Sequence, residues 1–159
     1  MSHPLDRPVW SALTGRQSHL AHQHGAAVRF GPEFGLFAAL PDASPQSLAD
    51  LAALVAVHGD VAVVEEGPAP PVPGLAVRSQ AVCWQMVAET PNPVGEPAFP
   101  IEVLTAADAP QMLALATATA PGPFFARTHE LGRFVGVKEN GRLVAMAGER
   151  MQPAGYTEV

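Results

Sequence analysis

Residues Gly132 to Met151 read GRFVGVKENGRLVAMAGERM, and the fold turns on this stretch. Phe134, Val135 and Val137 precede Glu139-Asn140-Gly141, and Leu143, Val144, Ala145 and Met146 follow. Asn and Gly accept the positive φ that a type I′ turn requires, so Asn140-Gly141 between two β-rich runs predicts a hairpin. Gln152 to Gly155 reads as a turn and Tyr156 to Val159 as a third run, which extends the expectation to a meander. The last strand of such a meander is either a sheet edge or lacks a partner that should follow it.

Working outward, Ile101 to Leu104 predicts a strand, and Thr105 with Asp108 three residues on forms a capping-box-like start for a helix over Ala106 to Ala118. Pro121-Gly122-Pro123 ends that helix, and a short helical turn fits Ala126 to Leu131. Upstream, Glu89 to Pro100 is rich in proline and marks a boundary. Leu75 to Ala88, with Val77, Val82, Trp84 and Met86, has the alternation of a strand or a pair of strands. Glu65 to Gly74 holds four prolines, which remove backbone donors, and is a loop. Val61 to Val64 predicts a buried strand. Ser44 as N-cap and Pro45 as N1 start a helix that ends near His58-Gly59. Ala27 to Phe30 and Phe34 to Leu40, broken by Gly31-Pro32, predict two short strands or one kinked one. Pro8 to Leu20 predicts a helix, weakened by about 1 kcal/mol at Gly15 relative to Ala. His19, His22 and His24 follow as polar residues at its C-terminus, without a metal-binding motif. The expected fold class is mixed α/β (α+β). An N-terminal α/β unit over 1–90 and a Pro-rich linker over 91–100 precede a mainly antiparallel sheet with flanking helices over 101–159.

Composition narrows the function. A hydrophobic share of 48% suits a packed core, while 17 Pro and 14 Gly predict short elements joined by stiff loops. The net charge is −6, with 4 basic and 9 acidic residues before Ile101 and 5 and 6 from there on. No basic stripe exists for phosphate backbones, so no nucleic-acid partner is expected. The single cysteine, Cys83, excludes an intramolecular disulfide, and its neighbours Val82 and Trp84 suggest a buried strand position. No apolar run approaches about 18 residues and no signal-peptide pattern is present, so no membrane partner and a cytoplasmic location are expected.

Candidate chemistry gathers late in the chain. Arg127, Thr128, His129 and Glu130 follow Phe124 and Phe125, and are either a pocket rim on an aromatic floor or a solvated helix face over core residues. Glu149 either faces a pocket or pairs with Arg127 or Arg133. Glu158, if it points inward, is a partly buried carboxylate suited to taking a proton from an amine; if outward, it is a surface residue.

Three patterns in this region carry a resemblance: Gly122-Pro123-Phe124, the T-x-E-L-G run Thr128 to Gly132, and Ala145 to Arg150, AMAGER. Residues 101–159 resemble the central part of GNAT acyltransferases, in particular their FR47-like branch, and residues 1–100 resemble its less uniform N-terminal portion. The resemblance implies a GNAT-like mixed sheet, acetyl-CoA as co-substrate, and a small-molecule or peptide amine that attacks the thioester directly. It further implies Glu158 as general base, with Phe125, Arg127, Thr128, His129, Glu130 and Glu149 on the acceptor side. In that family an R/Q-x-x-G-x-G/A loop at a helix N-terminus holds the pyrophosphate. Here the sequence stops at Val159, short of that loop, so no cofactor-binding residue is expected within it. The expectation is the front part of a longer protein, or a chain working with a second one. The alternative function is a non-catalytic binding or dimerisation module using the same sheet, and homo-oligomerisation stays open.

Overall fold

The computed structural model describes residues 3–90, 92–93 and 95–159; Pro91 and Val94, within the expected linker, lie outside the described residues. In the first unit, α1 (Pro8–Leu13) leads to β1 (Ala21–His24), β2 (Ala27–Phe30) and β3 (Phe37–Ala39), followed by α2 (Pro45–His58) and β4 (Ala62–Val63). The sheet order is β1-β2-β3-β4, antiparallel except for the parallel β3–β4 pair that α2 joins by crossover. The side-chain period of two explains the layering. Val28, Phe30 and Ala39 meet Val9, Ala12 and Leu13 of α1, while Ala27 and Ala38 meet Leu51 and Leu54 of α2. The sheet is therefore covered on both faces, and all four residues of β2 are buried.

The predicted hairpin is present as β6 (Phe134–Glu139) and β7 (Arg142–Gly148), with Asn140 at φ 51° and Gly141 at φ 78°, the left-handed pair that a type I′ turn needs. β5 (Glu102–Val103) pairs with β6, and α3 (Ala109–Thr119) lays Met112 against Leu104, Phe134 and Leu143. The capping box at Thr105 and Asp108 also forms. A register shift at Val137/Lys138 interrupts the hairpin ladder, and Lys138 bonds Asp108 at 2.8 Å and Glu102 at 3.3 Å. The bond to Asp108 raises the Lys138 pKa and lowers that of Asp108.

Gly148 lies opposite Phe134, and a Cβ there would stand 2.1 Å from a ring carbon of Phe134. That ring meets Phe124 edge-on at 6.0 Å and cannot swing away freely. Gly148→Ala is therefore expected to cost about 1–3 kcal/mol by overpacking. Urea denaturation checks this, and adding Phe134→Leu should recover part of the loss, since the two sites are coupled; strictly additive costs would sink the argument.

The start of α2 gives a pH dependence. Ser44 Oγ accepts the Ser47 amide, while Asp42 accepts the Ser44 amide at 2.9 Å and the Ser47 hydroxyl at 2.7 Å. Hydrogen bonding from the Ser44 hydroxyl, the Ser44 amide and the Ser47 hydroxyl, in that order, lowers the Asp42 pKa to about 2. A folded-state value below the unfolded value of about 3.9 gives stabilisation that is complete above the latter. It is lost as pH falls through about 2. Urea midpoints of wild type and Asp42→Asn should thus differ at pH 6 and converge near pH 2; a gap independent of pH would contradict this assignment.

Three expectations are corrected. The first helix stops at Leu13: the Thr14 hydroxyl bonds back to Trp10 O at 2.7 Å, and the Gln17 amide reaches Ala12 O, so the chain leaves helical register at Gly15. A 3-10 turn over Ser18–Leu20 follows, and His22 and His24 sit on a strand rather than at a helix end. Leu75 to Ala88 forms no strand, because no sheet edge takes it up. Val82, Trp84 and Met86 are 87%, 91% and 95% exposed, and Cys83 is exposed rather than buried. Tyr156 to Val159 turns back through Pro153 and Gly155, where the Tyr156 amide bonds Pro153 O, and makes only two backbone bonds to the outgoing chain, Arg150 N to Glu158 O and Glu158 N to Met151 O, too few for a ladder.

Candidate functional site

The predicted site residues collect at the open end of the β6–β7 hairpin, where Leu131 to Arg133 enter and Glu149 to Gln152 leave. They fall into two groups, each set against the first unit.

In the first group, the turn Thr128–Glu130 follows Phe124 and Phe125. Thr128 is buried, its hydroxyl donating to Phe34 O at 2.8 Å and accepting the Phe125 amide at 2.7 Å, so the side chain joins the turn to the β2–β3 loop. Arg127 grips both oxygens of Glu130 at 2.7 Å, lies 4.4 Å above the Phe34 ring and stands 3.5 Å from Glu33. Its bond to Glu130 raises the Arg127 pKa and lowers that of Glu130. His129 places Nε2 3.9 Å from Glu130, and its buried Nδ1 has no hydrogen-bond partner among the described residues. Phe124 joins the core around Phe134, while Phe125 is partly buried at the head of the turn.

In the second group, Glu149 accepts the Arg133 amide at 3.0 Å, a backbone contact in place of either guanidinium considered from the sequence. Gly132 allows this approach, since a Cβ there would lie 2.5 Å from Glu149 Cβ. Glu158 is one-third exposed and receives two guanidinium N–H groups of Arg150, Nε at 3.1 Å and Nη2. Arg150 in turn lies 4.9 Å over the Phe37 ring.

The sequence reading missed the residue between these groups. Gln17 is 2% exposed, and its Nε2 donates to Leu131 O at 2.9 Å and Arg150 O at 3.1 Å. Its Oε1 accepts the Gln152 amide at 3.0 Å. Nothing in its sequence neighbourhood signals this, because a polar residue beside Gly15 reads as surface.

Other chemistry is thin. A concavity of about 410 Å³, lined by Trp10, Leu13, Ala21 and Val28 among others, contains none of the predicted residues. Among the described residues no group of three or more His, Cys, Asp or Glu could hold a metal ion, and no helix is long and apolar enough to cross a membrane. The N-termini of α2 and α3 carry the carboxylates Asp42 and Asp108, which oppose a phosphate there.

One solved structure settles the lineage. It is a GNAT-family protein from Novosphingobium aromaticivorans DSM 12444 whose acetyltransferase activity is itself inferred. The match has 40% identity and a TM-score of 0.79, over 97% of this chain and 67% of the other. The chain belongs to the GNAT family. No family model and no curated protein matches it. The mixed α/β architecture, with antiparallel pairing dominant in both sheets and helices alongside, is that of this GNAT neighbour. The motif residues of this GNAT chain have physical work in the fold. Thr128 ties the turn to Phe34, Leu131 enters the first unit's core, Gly132 admits Glu149, and Gly148 lies beneath Phe134.

Proposed function

We propose that this GNAT chain provides the acceptor side of an N-acyltransferase of the FR47-like branch, which moves an acetyl group from acetyl-CoA to a small-molecule or peptide amine. The observation that carries the reading is the 40% identity to an acetyltransferase-type GNAT protein along 97% of the chain. In the reaction the amine lone pair attacks the thioester carbonyl, the C–N bond forms, the C–S bond breaks, and the CoA thiolate leaves. The ammonium proton passes to a base, for which Glu158 is the candidate. An amine that displaces one Arg150 donor would meet a carboxylate oxygen there. Arg127, His129 and Glu130 are the candidates for acceptor contact at the rim, with Phe125 beside them, while Thr128 and Glu149 shape its backbone. Binding of the pyrophosphate is assigned to none of these residues. Residues 1–90 and 101–159 act as two units joined through 91–100, and the reading places the reaction in the cytoplasm.

The test is amine-dependent release of CoA from acetyl-CoA by the complete protein, with mass spectrometry of the acetylated product over a panel of polyamines, amino acids and peptide N-termini. Acetylated amine in stoichiometry with free CoA is the expected result. Absence of transfer across the panel would overturn the reading. The second reading, a binding or dimerisation module using the GNAT-like sheet, would then stand, with β7 as the edge of the β5-β6-β7 sheet.

A further inference from the structure

We infer that Gln17 is a positioning residue for acyl transfer: one buried amide of the first unit fixes the separation of the two hairpin ends that carry the candidate site. The inference rests on the function proposed above. A glutamine side chain offers one acceptor and two donors. Here both donors and the acceptor oxygen are engaged across the boundary between the units, with Leu131 O, Arg150 O and the Gln152 amide. Gln152 Nε2 adds a bond of 3.3 Å to the same Leu131 carbonyl, which closes a small network at the hairpin mouth.

Each anchored carbonyl neighbours a candidate side chain in the chain. Leu131 follows Glu130, and Arg150 follows Glu149 and holds Glu158. Leu131 and Met151 also sit in the core formed by Val9, Leu13 and Phe30, so the backbone on both sides of the mouth is gripped by the first unit. A shift of this amide would change the spacing of the Arg127–Glu130 and Arg150–Glu158 side-chain pairs through their backbone, without a contact to either pair's charged groups. Misplacement of reacting groups by about 1 Å can cost on the order of a hundredfold in rate.

The experiment uses the complete protein and the variants Gln17→Met, Gln17→Glu and, as a neighbour control, Ser18→Ala. Turnover is measured together with amide hydrogen exchange over residues 130–152. Gln17→Met keeps the length and loses every hydrogen bond; Gln17→Glu keeps an acceptor for the Gln152 amide and loses both donors. Both are expected to lower kcat by about tenfold or more with the acceptor KM changed less than about threefold. Exchange at Gln152 should quicken in Gln17→Met, and Ser18→Ala should behave as wild type. Wild-type kcat in either folded variant overturns the inference, as does unfolding of both variants at assay temperature, which would assign Gln17 to stability alone. If the wild-type protein transfers no acetyl group, the function proposed above falls with the catalytic role. Unchanged exchange at Gln152 would remove the anchoring itself.

Discussion

Arg29→Ala is expected to destabilise the protein by about 3–5 kcal/mol, from carbonyls left unpaired at about 1–3 kcal/mol together with the cavity left by the side chain. Arg29 is 2% exposed on β2, and burial lowers its pKa while the nearby charge of Glu33 opposes the shift. Its guanidinium donates to carbonyl oxygens alone: Phe30 O at 2.9 Å, His58 O at 3.0 Å, Gly59 O at 3.3 Å and Gly35 O at 3.5 Å. Two of these lie at the C-terminus of α2, where orphaned carbonyls and the helix dipole both favour a cation. One side chain thus joins β2, the β2–β3 loop and the end of the crossover helix. Alanine removes every donor and leaves a cavity; Arg29→Met fills the cavity and still leaves the carbonyls bare. Urea denaturation should rank wild type above Arg29→Met and Arg29→Met above Arg29→Ala. A loss below about 1 kcal/mol for alanine would show that water replaces the donors freely.

Glu158→Gln in the complete protein is expected to lower kcat/KM for the amine by about a hundredfold to a thousandfold, the scale of losing a general base. The amide keeps the shape and accepts one of the two Arg150 N–H groups, while its NH2 faces the other, so the variant loses one bond of the pair along with the basic oxygen. Glu149→Gln is the comparison: its amide oxygen can still accept the Arg133 amide and Glu158 stays intact, so turnover should fall far less than in Glu158→Gln. Equal turnover for wild type and Glu158→Gln would hand proton removal to water. Equal losses of rate in both variants would mean that the hairpin end, and not one carboxylate, had been disturbed.

The elements legible in the sequence were those specified locally. Asn140-Gly141, Ser44-Pro45 and Thr105 with Asp108 each dictate their own backbone geometry, and each forms the expected turn or cap. The helix over Pro8 to Leu20 misled because its apolar spacing continues past the point where Gln17 is drawn toward Leu131 and Arg150, over a hundred residues away in sequence. Leu75 to Ala88 misled for the opposite reason: alternation describes a strand only when an edge receives it, and the pattern carries no information about that edge. The site shows the same divide. Residues 127–130 were recognisable as a polar cluster, yet the burial of Thr128 depends on the Phe34 carbonyl in another unit, which no local window contains.

Leu131 and Met151 share a core with Val9, Leu13 and Phe30, and this has a consequence for how the protein is made. At a synthesis rate of about 5–20 residues per second, the roughly 140 residues between Leu13 and Met151 emerge over on the order of ten seconds. For most of that time the nascent first unit has its sheet strands, with α1 against Phe30, but lacks the two side chains that complete this core. The incompletely covered face favours chaperone capture and makes the yield of folded protein sensitive to translation speed.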